Sequence, residues 1–161
     1  MDRRKNPRLT EWDYSHPGAY FITVCSYSKI KLFSSVVGRG LAPSAVNLSK
    51  WGKIIEQQLL NLEDRFAHVK VDKYVIMPNH VHIILIMNGE TAGASPRPTV
   101  SDVICAWKSL STRQCKQEGF EGQLWQNSFH DHIIRGEHDY LTRWQYIDDN
   151  PAKWAEDEYY L

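Results

Sequence analysis

Apolar residues follow two spacings along this chain: continuous runs typical of buried strands, and intervals of three or four residues typical of helices. The strand-like runs are residues 19–27, 69–77, 80–87 and 130–134. The helical spacings are at residues 48–62, at 101–117 and in a segment around 139–150. The pattern predicts the order β-α-β-β-α-β-α. Because the runs are apolar on both faces, we expect an α+β fold with an antiparallel sheet packed with helices.

Turn and cap residues divide these elements. Pro78 and Asn79 separate two strand-like runs and predict a tight turn between antiparallel neighbours. Asn47 or Ser49 can cap the first helix, because both residue types accept hydrogen bonds from the free amides of a first turn. Residues 88–98 are rich in Gly, Ala, Ser and Pro, which indicates a linker. With 161 residues and no internal repeat, the chain is predicted to form one domain, residues 1–161.

Two histidines interrupt the most apolar run. His80 and His82 are two residues apart, so on a strand they share a face with their side chains roughly 6.7 Å apart, within reach of one metal ion. A buried polar group without a partner costs about 1–3 kcal/mol, so both imidazoles need partners. The pair is half of a metal site, or else two histidines hydrogen-bonded to the backbone or to each other.

A second polar pair lies on the last predicted helix. Its apolar stripe is made of Tyr140, Leu141, Trp144 and Ile147. At about 100° per residue, Tyr146 and Asn150 lie about 40° apart and roughly 150° from the centre of that stripe. A phenol and an amide are therefore presented together on a polar strip, and Pro151 is expected to end the helix.

Charge and cysteine content narrow the function classes. The 19 basic and 19 acidic residues leave a net charge of +0, so any affinity for nucleic acid must come from local patches. A basic arm in residues 1–13 is either a DNA-binding segment or a solvated terminus. Within the charged tail, residues 152–161, we expect Glu156, Asp157 and Glu158 to be solvated. The three cysteines lack the spacing of a disulfide framework or zinc site. With no apolar membrane span or signal core, we expect a cytoplasmic protein that binds no membrane.

The two polar pairs, taken together, resemble a known family. Residues 78–82, Pro-Asn-His-Val-His, followed by Tyr146-Ile147-x-x-Asn150-Pro151, are similar to the motifs of the single-tyrosine transposases of the HUH superfamily, and most closely the REP-associated tyrosine transposases. Further similar blocks at residues 3–9, 14–21, 93–99 and 125–135 extend the likeness over nearly the whole chain. The resemblance implies a ferredoxin-like α+β domain that cleaves and rejoins single-stranded DNA.

The resemblance also implies a role for each motif residue. Tyr146 would be the nucleophile that forms a 5′-phosphotyrosine, and His80, His82 and Asn150 would bind a divalent metal, Mg²⁺ or Mn²⁺. Chemistry supports this set, because a metal with open positions stabilises charge on the phosphate oxygens and orients the substrate. Two imidazoles and one amide are neutral, so they should hold the metal loosely until phosphate adds its own oxygens.

The expected partner is single-stranded or hairpin DNA, bound by a monomer or a homodimer. Candidate DNA-binding residues are Arg3, Arg4, Lys5, Arg8, Lys108, Arg113, Arg135 and Arg143. His130 and His132 form a second His-x-His that is interpreted as structural or DNA-facing. Trp12 and Trp125 lie in predicted loops and could stack on bases, whereas Trp107 and Trp144 are assigned to apolar helix faces.

Two other functions remain open from the sequence. A domesticated hairpin-DNA binding protein would keep the fold without transposition activity, and a metal-dependent phosphodiesterase would use water in place of Tyr146. Covalent attachment of DNA to the protein distinguishes the transposase from both.

Overall fold

A computed structural model describes residues 18–38, 45–87 and 98–160. Its strands are β1 (Gly18–Cys25), β2 (Ser34–Val37), β3 (Ala45–Leu48), β4 (Val69–Ile76), β5 (His80–Met87) and β6 (His130–Ile134). Its helices are α1 (Lys50–Leu60), α2 (Leu62–Arg65), α3 (Val100–Gln117) and α4 (Gly136–Asp149), with 3-10 turns at Tyr27–Lys29 and Trp154–Glu156. The predicted strands and helices are all present.

Four of the strands form the main sheet, in the order β4-β5-β1-β6 with every neighbouring pair antiparallel. Counting only these four strands along the chain, the order across the sheet is second, third, first, fourth, which is the ferredoxin-like arrangement. The tight turn at Pro78 and Asn79 joins β4 to β5, and the Met77 amide donates to the His80 carbonyl at 2.8 Å across it. The predicted α+β fold class is confirmed.

Side chains alternate between two cores on the two faces of this sheet. On one face, Ile22 and Ile83 pack against α1 and α3, including the fully buried Trp107. On the other face, Phe21 and Ile84 pack against α4 and the residues that follow it. His80 and His82 share the second face with Ile84, so the sheet presents both imidazoles toward α4.

Two features fix the start of helix α1: the cap at Ser49, and the close contact of Gly52 with the backbone of Phe33. The Ser49 hydroxyl accepts a hydrogen bond from the Gly52 amide at 3.1 Å, so Ser49, and not Asn47 in β3, is the cap. A Cβ on Gly52 would lie 2.0 Å from the Phe33 carbonyl oxygen. Only glycine fits between this helix and the chain that enters β2.

We expect Gly52→Ala to destabilise the protein by about 1–3 kcal/mol, because overpacking outweighs the gain of about 1 kcal/mol in helix propensity. Urea unfolding measures the difference, with the exposed neighbour Lys53→Ala as the control on the same helix. An unchanged midpoint for Gly52→Ala would contradict the close approach.

Several expectations need correction. The hairpin of β2 and β3 was not predicted, and the helix expected over residues 48–62 divides into α1 and α2 at Asn61. Leu141, assigned to the apolar stripe of α4, is 54% exposed, because Tyr140, Trp144 and Ile147 fill the contact with the sheet.

The basic arm, residues 1–13, and nearly all of the linker, residues 88–98, lie outside the described residues. Within the described part of the chain, no helix is long and apolar enough to cross a membrane.

Candidate metal and nucleophile site

The two motif histidines meet at one end of the sheet, on the face that packs against α4. His80 is 0% exposed and His82 2% exposed, and their ring centroids are 4.6 Å apart. The register pairs Cys25 with His80 and Thr23 with His82 across β1 and β5. The strand spacing therefore brings the two imidazoles together as predicted, and β1 lies beside β5 in the same sheet.

A hydrogen bond fixes the tautomer of His80. The Asn79 amide nitrogen donates to the carbonyls of Tyr159 at 2.7 Å and Lys29 at 3.2 Å, which leaves Asn79 Oδ1 as the atom that faces His80 Nδ1 at 2.8 Å. An amide oxygen only accepts, so His80 Nδ1 carries the proton and donates it. His80 Nε2 consequently presents a lone pair.

His82 is oriented through its Nδ1 by its cross-strand neighbour Thr23, whose hydroxyl can donate or accept a hydrogen bond. Its Nδ1 lies 2.8 Å from the Thr23 hydroxyl, and its ring stacks on Phe21 with centroids 5.2 Å apart. A metal-binding imidazole usually bonds its second nitrogen to a fixed group, which orients the ring. Both histidines have such a group at Nδ1.

By distance and angle, three buried side-chain atoms of this site have no hydrogen-bond partner among the described residues: His80 Nε2, His82 Nε2 and Asn150 Oδ1. Buried polar atoms are nearly always paired, so three such atoms in one site call for a ligand that accepts lone pairs. A divalent cation fits this description. The donor set therefore fits the metal that the sequence motifs imply.

A carboxylate joins this set from the end of the chain. Asp157 Oδ2 lies 3.8 Å from His80 Nε2, and ligand atoms of His80, His82 and Asp157 all lie within 4.8 Å of one another. The Asp157 side chain is 3% exposed, which corrects the expectation of a solvated end at this residue, whereas Glu156 and Glu158 are exposed as expected. Trp154 and Tyr159 pack the chain segment around Asp157 against His80, with ring centroids 5.9 and 4.4 Å from that of His80. These aromatic residues beside the acidic ones were the sequence signal for a packed tail.

Tyr146 stands beside the histidines. Its ring centroid is 5.2 Å from that of His82, and the side chain is 40% exposed, as expected for a tyrosine outside the core. Partial burial raises the pKa of the phenol, and so does the negative charge of Asp157, while Asn150 and Arg143 act in the opposite direction. The phenol is thus protonated at neutral pH and must lose its proton in order to react.

Asn150 is a buried residue that acts on both His80 and Tyr146. Its side chain is 3% exposed and influences the pKa of both His80 and Tyr146. The helical wheel put Asn150 opposite the apolar stripe, where solvent was expected. The structure differs because the end of α4 lies against the sheet end and the tail, which cover that face.

Burial also sets the protonation of the histidines. It lowers the pKa of His80 to about 3, against a smaller opposing effect of Asn150, and it lowers the pKa of His82 well below its ordinary value. Both imidazoles are therefore neutral throughout the physiological range, which is the form that binds metal.

This pKa shift makes stability depend on pH. Without metal, the unfolded chain takes up protons at these histidines below about pH 6.5 while the folded chain does not, so stability is complete above that pH and falls as the pH drops toward 3. For each histidine, we expect the folded population to lose up to about tenfold per pH unit in this window. Thermal unfolding in chelator between pH 7 and pH 4 measures the slope. His82→Gln should flatten it, and an unaltered slope would contradict the assignment.

The other candidate residues fall into three places. Arg143 lies over the Phe21 ring at 5.3 Å, next to the site, and Arg135 precedes α4. Lys108 and Arg113 lie on α3, on the opposite face of the sheet. His132 Nε2 lies 2.8 Å from Asp139 Oδ2, which is an ordinary polar contact, and His130 is exposed.

Trp125 is not a stacking platform. It is 4% exposed and packs against Phe33 and Trp107, with centroids 5.0 and 4.9 Å away. The loop that contains it bridges to Ser26, and this pairing carries the indole into the core. Trp12 lies outside the described residues.

Comparison with known proteins supports the fold. No protein family model matches the chain. An uncharacterized protein of Haemophilus influenzae is 28% identical over 176 aligned positions, which cover 100% of this chain and 95% of that protein.

Two solved structures are similar. One is a REP-associated tyrosine transposase bound to a REP hairpin, with a TM-score of 0.66 and 20% identity over 94% of this chain and 76% of that chain. The other is a candidate transposase from Deinococcus radiodurans, with a TM-score of 0.51 and 17% identity over 88% of this chain and 97% of that chain. The resemblance noted in the sequence is therefore confirmed as a shared fold.

Proposed function

We propose that this protein cleaves and rejoins single-stranded DNA, with Tyr146 as the nucleophile and a divalent metal held by His80, His82 and Asn150. The observation that carries the proposal is the set of three buried side-chain atoms without a hydrogen-bond partner, which lie beside the partly exposed Tyr146 phenol. The fold shared with a transposase bound to a REP hairpin supports DNA as the substrate.

The metal would be Mg²⁺ or Mn²⁺, and Asp157 would be a further ligand. The oxygens of Asn150 and Asp157 suit these hard cations, and Asp157 adds the negative charge that the other three ligands lack. A bound metal would supply charge stabilisation at the phosphate oxygens and orient the phosphate. Asn79 and Thr23 would hold the two imidazoles in the orientation that leaves each Nε2 toward the ion.

The protein side chains account for the rest of the reaction. The Tyr146 oxygen attacks phosphorus as the phenol loses its proton, a phosphotyrosine ester forms with the 5′ phosphate of the downstream strand, and the 3′ oxygen of the upstream strand leaves and takes up a proton to become a hydroxyl. One phosphoester replaces another, so the same hydroxyl or another can reverse the step and join strands without a nucleotide cofactor. The cation of Arg143 favours the phenolate as the proton leaves.

The test is incubation of the protein with labelled single strands from the flanks of its own gene, with Mg²⁺ or Mn²⁺, followed by a denaturing gel. We expect a covalent protein–DNA band. Cut DNA without such a band would indicate hydrolysis by water. Bound but intact DNA would indicate the hairpin-binding alternative.

Asp157→Asn tests the carboxylate. The substitution keeps an oxygen but removes the charge, so the metal concentration for half-maximal adduct formation should rise about tenfold, while the rate at saturating metal changes little. A Mn²⁺ titration of cleavage measures both quantities. The exposed neighbour Glu156→Gln is the matched control, and equal behaviour of the two variants would exclude Asp157 as a ligand.

A further inference from the structure

Arg143 lies on the same stripe of α4 as Tyr146 and Asn150, the residue that caps this helix. The three positions are spaced at i, i+3 and i+7, which places them on one side of a helix. Arg143 is therefore one turn from the nucleophile, at an axial rise of about 4.5 Å, on the side away from Asn150. This order places a cation within reach of a phosphate that Tyr146 attacks.

The Phe21 ring connects this cation to the rest of the site. Arg143 Cζ lies 5.3 Å from the ring centroid, and the ring centroids of His82 and Tyr146 lie 5.2 and 5.8 Å from it. Phe21 is 8% exposed and belongs to the core beneath α4, so close packing fixes its ring. One apolar side chain thus holds a cation, an imidazole and a phenol next to one another.

Asp139 holds the guanidinium of Arg143 at a single nitrogen. Asp139 Oδ1 accepts from Arg143 Nε at 3.4 Å, and Oδ2 accepts from the Arg135 backbone amide at 3.0 Å. That amide is the main cause that lowers the pKa of Asp139 to about 2, so the carboxylate is charged at neutral pH. The two terminal nitrogens of Arg143 make no hydrogen bond with any residue that the structure describes. They can donate to two oxygens of one phosphate.

The charges around Tyr146 call for such a cation. Burial is the main cause of the raised pKa of the phenol, the carboxylates of Asp157 and Glu158 add to it, and the charge of Arg143 opposes them. A phosphodiester brings a further negative charge. This charge grows on the non-bridging oxygens as the bond from the Tyr146 oxygen to phosphorus forms and the bond to the 3′ oxygen breaks.

We propose that Arg143 is a second catalytic residue, which binds the non-bridging oxygens of the phosphate that Tyr146 attacks and stabilises the charge that they gain. Phe21 and Asp139 are positioning residues that hold the guanidinium in place. The phenol loses its proton and the 3′ oxygen takes one up, while Arg143 exchanges none, so its contribution is electrostatic. The inference rests on the proposed function and adds a catalytic cation that belongs to the chain itself.

The test changes the charge on each side of this contact. The DNA is a labelled single strand that the wild type cleaves, with either the normal phosphate or an uncharged methylphosphonate at the break. Arg143→Gln removes the cation, Arg143→Lys keeps the charge without the planar fork, and Asp139→Asn weakens the hold on Nε. Lys153→Gln is the charge-matched control, because Lys153 is exposed and follows the end of α4. Single-turnover adduct formation is measured at saturating Mn²⁺, and thermal unfolding checks that each variant is folded.

On the normal phosphate, we expect a loss of about a hundredfold for Arg143→Gln, smaller losses for Arg143→Lys and Asp139→Asn, and none for Lys153→Gln. On the methylphosphonate, which has no charge to stabilise, Arg143→Gln and Asp139→Asn should react at the wild-type rate. An Arg143→Gln loss of the same size on both strands would mean that Arg143 only supports the packing around Tyr146, and it overturns the proposal. So does the absence of any loss on the normal phosphate.

A binding measurement separates this inference from the nuclease proposal. Dimethyl phosphate is titrated into metal-free protein that carries ¹³C-labelled tyrosine, and the Tyr146 ring signal, identified with Tyr146→Phe, reports its binding. If the wild type forms no adduct on any strand, the nuclease proposal fails and this titration decides on Arg143. Binding that is about tenfold weaker in Arg143→Gln than in Lys153→Gln then supports the phosphate contact. Equal binding by the two variants, or no binding by the wild type, overturns it as well.

The opposite separation is also possible. An adduct that forms equally well in Arg143→Gln and in Lys153→Gln leaves the nuclease proposal in place and overturns the role of Arg143.

Discussion

Tyr146→Phe should abolish the covalent protein–DNA adduct and reduce cleavage by at least about a thousandfold. The substitution removes only the attacking oxygen. The ring remains to fill the contacts with Phe21 and His82, whose centroids are 5.8 and 5.2 Å from that of Tyr146. DNA binding should therefore stay within a few-fold of wild type. Denaturing gels of labelled strands measure adduct and cleavage, and anisotropy measures binding.

Tyr140→Phe is the matched control on the same helix. Its hydroxyl donates to Asp72 and has no contact with the histidines among the described residues. This variant should retain the adduct. If Tyr146→Phe still forms an adduct and Tyr140→Phe does not, the nucleophile is Tyr140. If Tyr146→Phe still cuts DNA without an adduct, the attacking group is water.

Local sequence signals predicted the main sheet and its helices. The Ser49 cap, the turn at Pro78 and Asn79 and the fully apolar β5 all act within a few residues, so one sequence contains them. The β2–β3 hairpin was missed because each strand has only four residues, with burial that alternates between exposed and intermediate. Such strands give a weak apolar signal.

The residues of the candidate site that belong to one short motif could be predicted from the sequence. The residue that only the folded chain brings to the site could not. His80 and His82 share a strand face, and Tyr146 and Asn150 are one helical turn apart, so spacing alone paired each set. Asp157 reaches His80 only because Trp154 and Tyr159 pack the tail back over the sheet end. The sequence signals this return only through the aromatic residues beside the acidic ones, and the acidic residues themselves suggested a solvated end.

The loop that contains Trp125 shows the same division. The loop itself was visible in the sequence, but β1 holds it in place through Cys25 and Ser26. Trp125 was assigned to DNA stacking because loop tryptophans are often exposed. In the fold, that loop pairs with the end of β1 and the indole enters the core beside Phe33.

His80→Ala and His82→Ala should each abolish cleavage and weaken Mn²⁺ binding to the free protein. Each variant removes one of two ring nitrogens that make no hydrogen bond among the described residues. The loss of a metal ligand, and not the loss of a hydrogen bond, should therefore account for most of the effect. Mn²⁺ binding is measured by the loss of free-ion electron paramagnetic resonance signal, which does not depend on activity. His132→Ala is the matched control, because its nitrogen is already engaged by Asp139.

These two variants also distinguish a metal site from a buried hydrogen-bonded pair. If metal is the reason for the unpartnered nitrogens, Mn²⁺ should raise the melting temperature of the wild type and of His132→Ala, but much less that of His80→Ala or His82→Ala. Chelator should stop cleavage by the wild type, and added Mn²⁺ should restore it. Cleavage that persists in chelator, or a wild-type protein whose melting temperature Mn²⁺ leaves unchanged, would mean that His80 and His82 act as structural residues held by Asn79 and Thr23.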